Sequence, residues 1–209
     1  MNKKSKLINS LLIKFLILSS FSFIFLSPVS AENSLYEQGK ILVFEGNYNK
    51  ALKAFELAMK TGDLDSMTAL GVMYIGGIGV QQDNNKGLEY IKNAADKSHP
   101  KAQYTLGALY YLGAGVNQDF KKAFDWLSLS AEQNYVDAKY NLAVMYELGK
   151  GVSQDFEKAY ELYIDAARSN NIESQIKVAE MYQTGKGVEK NLEKSEYWLK
   201  KNKESKARN

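Results

Sequence analysis

Residues 102–135 read AQYTLGALYYLGAGVNQDFKKAFDWLSLSAEQNY, and residues 138–171 read AKYNLAVMYELGKGVSQDFEKAYELYIDAARSNN, one pattern written twice at a spacing of 36. Outward from these stretches the same step links Ser66, Ala102, Ala138 and Ser174; Leu70, Leu106, Leu142 and Val178; and Tyr74, Tyr110, Tyr146 and Tyr182. It also links Gly77, Gly113, Gly149 and Gly185, then Gly79, Gly115, Gly151 and Gly187, each followed by Val80, Val116, Val152 or Val188. Farther along come Asp83, Asp119, Asp155 and Asn191, then Lys86, Lys122, Lys158 and Lys194, then Tyr90, Trp126, Leu162 and Trp198. Self-similarity at a fixed period of this length is the mark of a repeat array.

The spacing inside a unit names its local structure. Ala102, Leu106, Leu109 and Tyr110 share one helical face, and Phe120, Ala123, Phe124, Leu127 and Ala131 share another, so each repeat is expected to be a helical hairpin. Between the two helices the glycine pairs supply residues that tolerate positive φ, and Asp83, Asp119, Asp155 and Asn191 stand where an N-cap must accept free N–H groups. Gly62, Ser98, Asn134 and Asn170 suit the return turn, and Pro100 suits the first turn of the helix that follows. His99, beside that proline, reads as a solvated turn residue rather than a ligand or general base.

Composition narrows the chemistry. The chain of 209 residues has no Cys and one His, which removes disulfides, thiolate sites and His-pair metal centres, so no metal or cofactor is expected. Its formal charge of +3 is misleading. Four of its lysines lie in the first 31 residues, which hold no acidic residue, and the remainder carries 23 basic against 24 acidic side chains. The last ten residues hold a local +4, leaving −5 for residues 32–199, a poor footprint for nucleic acid. The glycine pairs are not phosphate cradles, because a helix rather than a strand precedes them. The capping aspartates are one repeat step apart, roughly 10 Å, too far for a close carboxylate pair.

Residues 1–31 read as a secretory signal: a lysine-bearing start, the apolar run Phe15 to Leu26, then Val29-Ser30-Ala31 as a cleavage site before Glu32. An uncleaved anchor is the alternative, but the apolar run makes only ~18 Å of helix against a hydrocarbon core of ~30 Å. The mature chain is therefore expected to be exported, periplasmic or secreted, with no stable membrane span.

The pattern Ala102, Leu106-Gly107, Tyr110, Gly113-Ala114-Gly115-Val116, Asp119, Lys122-Ala123, Trp126 and Ala131 resembles the Sel-1-like repeat, a member of the tetratricopeptide-like superfamily. Leu35, Gly39, Gly46-Asn47-Tyr48, Ala51, Phe55 and Ala58 resemble a plain tetratricopeptide hairpin. The chain departs from the pattern at Ala143, Ala179, Gly87 and Asn202-Lys203. The organisation expected is a signal over 1–31, a capping hairpin over 32–64, repeats over 65–100, 101–136, 137–172 and 173–203, and a basic tail over 204–209. The tail, without an apolar pattern, is expected to fray. The fold class implied is all-α, a right-handed α-α superhelix, or solenoid, of about five helical hairpins.

The resemblance also implies function: such proteins are adaptors, and exported bacterial members are linked with host interaction or envelope processes. In the superfamily the first helix of each pair lines a concave surface. The stripe so implied holds Tyr36, Lys40 and Val43; Thr68, Val72 and Ile75; Tyr104, Ala108 and Tyr111; and Tyr140, Val144 and Glu147. These side chains either bind a peptide or protein partner, with Lys40 and Glu147 biasing its orientation, or finish packing against the neighbouring hairpin. No catalytic residue is assigned. The alternatives are a β-lactamase-like hydrolase, by analogy with cysteine-rich relatives whose disulfides this chain lacks, and a homotypic assembly.

Overall fold

The computed structural model describes residues 34–208, so the signal expected over 1–31 lies outside the described residues. Every regular element among them is a helix: α1 (Leu35–Phe44), α2 (Tyr48–Lys60), α3 (Leu64–Gly76), α4 (Asn84–Asp96), α5 (Pro100–Leu112), α6 (Phe120–Glu132), α7 (Val136–Leu148), α8 (Phe156–Arg168), α9 (Ile172–Thr184) and α10 (Leu192–Arg208). They fall into two compact units divided between Gln118 and Asp119.

The local chemistry that starts and stops these helices repeats. Asp83, Asp119, Asp155 and Asn191 each accept the N–H three residues on, at 3.0, 3.0, 3.0 and 2.9 Å. Those bonds favour the ionised carboxylate and hold Asp119 and Asp155 below the usual carboxylate range. Helices α3, α5, α7 and α9 end on Gly77, Gly113, Gly149 and Gly185 in the left-handed conformation. The following N–H returns to a carbonyl five residues back, as from Ile78 to Met73 at 2.9 Å, satisfying an end the helix leaves open. A further device went unread in the sequence: Gln82, Gln118 and Gln154 donate from Nε2 to the carbonyls of Ile75, Tyr111 and Glu147, each at 2.8 Å, tying the loop to the preceding helix.

In the first unit α1 pairs with α2 and α3 with α4. Gly87 stands where the repeat pattern has Ala because a β-carbon there would sit 2.6 Å from the Gly71 carbonyl oxygen, so the two helices cross too closely for a side chain. Ala51, Phe55, Leu70 and Met73 form a buried cluster of this unit.

In the second unit α7 pairs with α8 and α9 with α10, around Ala143, Ala159, Tyr163, Ala167, Val178, Ala179, Met181, Tyr182 and Trp198. Lys150 and Lys186, between the glycines of their loops, cover the rings of Phe120 and Phe156 at 5.0 and 4.1 Å, and Lys158 and Lys194 cover Tyr146 and Tyr182. The C-terminal segment differs from expectation: helix α10 runs on to Arg208, through the tail that was expected to fray. Ser195, Trp198, Asn202 and Ser205 are buried along one side of it. Asn202 donates to the Ile172 carbonyl at 2.7 Å and Gln175 donates to Ser205 Oγ at 3.3 Å. Small polar side chains, rather than the usual Ala-Ala, seal this last pair of helices.

Candidate binding cleft

The first helices of the first unit converge on a cleft of about 450 Å³, counted out to its open mouth. Val43 from α1, Phe55 from α2, and Ala69, Val72 and Met73 from α3 give it an apolar floor. Thr68 and Thr105 also line it, but their hydroxyls donate to the carbonyls of Leu64 and Lys101, each at 2.7 Å, and are spent within their own helices. Tyr36, Lys40 and Lys101 complete the lining with polar groups.

Tyr36 is the focus of these charges. Its hydroxyl oxygen accepts a short hydrogen bond from the Lys101 ammonium. The ammonium groups of Lys101 and Lys40 lie 5.0 and 5.4 Å from the centre of its ring, whose other neighbour is Phe55 at 5.9 Å. Burial, and then the negative charges of Asp65, Glu37 and Asp63, push the Tyr36 phenol well above its usual range, so it stays a neutral donor. Burial pulls Lys101 down from its usual value against the opposing pull of Asp65, whose Oδ1 is 3.4 Å from Nζ. For Asp65 burial alone would act upward, but the hydrogen bond from His99 and the charge of Lys101 outweigh it and hold the carboxyl low.

His99 is therefore not the solvated turn residue the sequence suggested. It caps α5 with its backbone, its Nε2 is 3.5 Å from Asp65, and its side chain is 17% exposed. Lys101 was also missed. The available signal was charge at the repeat spacing: Asp65 and Lys101 are opposite in sign and 36 apart.

The stripe of candidate residues is divided by the structure. Tyr36, Lys40, Val43, Thr68 and Val72 meet at the cleft. Ile75, Tyr104 and Ala108 are 2%, 8% and 5% exposed, so packing rather than an open surface describes them; Val72 reaches the cleft while only 6% exposed, and Tyr111 is half-buried. In the second unit Tyr140 packs on the buried Tyr163 at 5.7 Å, and Val144 packs beside it. Glu147 was expected to orient a partner, but its Oε2 accepts from the Tyr163 hydroxyl at 2.7 Å and lies 3.2 Å from Lys177. Burial first, then that bond to a carboxylate, raises the Tyr163 phenol far above its usual range, and burial raises Tyr140. Lys40 is paired as well, with Glu37 at 2.9 Å.

The position that holds Asp65 in the first unit is repeated as Asp137 and Glu173 in the second, but with a different electrostatic outcome. Burial first, then the like charge of Glu173, raises Asp137 above its ordinary value, and the Asn171 amide at 3.5 Å only partly offsets this. A carboxyl bound to its proton more tightly in the folded state adds stability below its unfolded value, ~3.9, and that stability is lost as pH rises through the raised folded value. Asp65, held low, works in the other direction: its contribution is present above ~3.9 and is lost as pH falls through the lowered value. Asp137→Asn is thus expected to raise the thermal midpoint at pH 7 and to lose that advantage by about pH 3, where the parent carboxyl is protonated. A midpoint unchanged or lowered at pH 7 would contradict this account.

Among the described residues there is no cluster of three or more potential metal-ligating side chains, and no helix is long and apolar enough to cross a membrane.

Comparison with known proteins accounts for the repeat and the fold. The pattern of the Sel1 repeat family matches residues 64–99, 100–135, 136–171 and 172–201. The chain is similar to the crystal structure of a Sel1 repeat protein from Oxalobacter formigenes, at 30% identity and a TM-score of 0.73, over 82% of this chain and 51% of that one. It is also similar to a protective antigen of uropathogenic Escherichia coli with an SLR fold, at 28% identity and a TM-score of 0.72, over 81% of this chain and 37% of that one. The chain thus spans about half or less of the length of these two proteins. A Sel1 repeat protein from Klebsiella pneumoniae, at 24% identity and a TM-score of 0.55 over 82% of this chain and 85% of that one, shares the fold. The fold class is all-α, an α-α solenoid, and proteins built from this repeat are typically non-catalytic scaffolds for protein interaction. With four tandem matches across most of its length, the chain belongs to the Sel1 repeat family.

Proposed function

We propose that this chain is a non-catalytic adaptor that captures a peptide segment of a partner protein, seating one apolar side chain in the cleft between α1, α2, α3 and α5. The observation that carries this reading is the cleft's composition: an apolar floor beneath Tyr36 and two lysines. A tyrosine at the rim of an apolar pocket is a usual component of an interaction hot spot. A photoreactive benzophenone amino acid replacing Val43 is expected to crosslink discrete partners in intact cells, whereas one replacing the exposed Lys92 is not. Identical adducts from both positions, or none from Val43, would sink the reading.

The adaptor acts outside the cytoplasm in this proposal, in host interaction or envelope processes. Support comes from Val29 and Ala31, small residues at the −3 and −1 positions that signal peptidase requires. Intact-mass analysis of exported protein is expected to find a chain beginning at Glu32. A mass that retains residues 1–31 would favour an anchor instead.

A further inference from the structure

We propose that the cleft recognises an acidic peptide segment, one that presents a Glu or Asp side chain beside an aliphatic residue. This inference rests on the peptide-capture reading above and specifies the partner's chemistry. Its basis is the sign and placement of charge. The charged residues that line the cleft, Lys40 and Lys101, are both cationic, and they converge on the single ring of Tyr36 at 5.4 and 5.0 Å. Like charges gathered at the mouth of an apolar pocket repel one another, and the positive charge of Lys40 adds to burial in lowering Lys101. A ligand carboxylate relieves that repulsion.

Three carboxylates, Asp65, Glu37 and Asp63, also act on Tyr36, but they stand outside the lining of the cleft. Glu37 and Asp65 are 49% and 37% exposed and neither lines the cleft. The carboxylate side of each pair stays partly open to solvent, so a lysine can be shared with an incoming carboxylate. Tyr36 adds a neutral donor: its oxygen already accepts from Lys101, which leaves its O–H to point at an acceptor. The remaining hydroxyls, on Thr68 and Thr105, are committed to their own helices, and no carboxylate lines the cleft to receive a basic ligand. The apolar floor of Val43, Phe55, Val72 and Met73 suits an aliphatic side chain beside the ligand's carboxylate.

The test uses the full processed chain carrying ¹³C-methyl methionine, with Met73, 1% exposed on the cleft floor, as reporter. The probes are three decapeptides blocked at both ends, with a central Val flanked by Glu, by Gln or by Lys. The Glu peptide is expected to shift the Met73 methyl at a concentration at least about tenfold lower than the Gln peptide, with the gap closing as salt rises from about 50 to about 500 mM. Lys40→Gln and Lys101→Gln are each expected to narrow the gap while leaving the peptide-free Met73 signal in place. Equal response to the Glu and Gln peptides, or preference for Lys, overturns the acidic specificity and leaves capture of an aliphatic side chain standing. A Gln peptide with a free terminal carboxylate that matches the Glu peptide also overturns it, by placing the anion at a chain end. If no peptide moves Met73, the capture reading itself fails.

Discussion

Gly151→Val is expected to destabilise the second unit by about 2–5 kcal/mol, adding the cost of a β-branched residue in the left-handed region to the cost of overpacking. Gly151 has φ +73°, and a β-carbon there would stand 2.2 Å from the Phe120 carbonyl oxygen, inside any possible contact. Gly46 provides the control, with φ +77° and nothing within 4 Å of the same added atom. Gly46→Val therefore loses only the conformational part, about 1–2 kcal/mol. Site-resolved hydrogen exchange is the appropriate measure, because repeat arrays lose structure unit by unit and a single melting point averages over the loss. Equal losses at the two glycines would show that the loop of one repeat does not press on the α6 backbone as described.

Tyr163→Ala is expected to cost about 3–5 kcal/mol, the range for removing a large buried ring. Tyr163 is fully buried among Ala143, Ala159, Val178 and Met181, so little can collapse into its place. The hydroxyl adds a separate and smaller contribution. Tyr163→Phe keeps the ring and removes only the hydrogen bond to Glu147, for about 1.5–3 kcal/mol, the value of a bond to a charged group. Urea unfolding followed by the protection of α7 and α8 amides separates the two effects. If Ala and Phe variants lose the same stability, the ring is not the packing element the structure shows, and Glu147 governs the site.

The sequence alone left open whether Tyr104 and Tyr140 bind a partner or pack against the neighbouring hairpin. Tyr104 is 8% exposed and Tyr140 is half-buried on Tyr163, so removing both is now expected to damage the fold. Periodicity places a residue on a face of its own helix, but whether that face is open depends on what packs against it. The stripe at Tyr36, Lys40 and Val43 stays open because it borders the cleft.

What the sequence by itself determined is the helical hairpin of each repeat, with its caps and turns. Helical faces, N-caps and left-handed turns depend on residues within a few positions of each other, and Asp83, Asp119 and Asp155, like Gly77, Gly113, Gly149 and Gly185, recur every 36 positions. The tertiary structure alone decided which side chains meet between helices. Asp65 with His99 and Lys101, Glu147 with Tyr163 and Lys177, and Gln175 with Ser205 are pairs from different helices. So is the helix beyond Lys200, whose stripe of Ser195, Trp198, Asn202 and Ser205 has helical spacing but too few apolar residues to show as a buried face. The physical reason is burial. A charge or a small polar side chain is neutral information along the chain, and acquires a sign and a partner only when another element removes it from water.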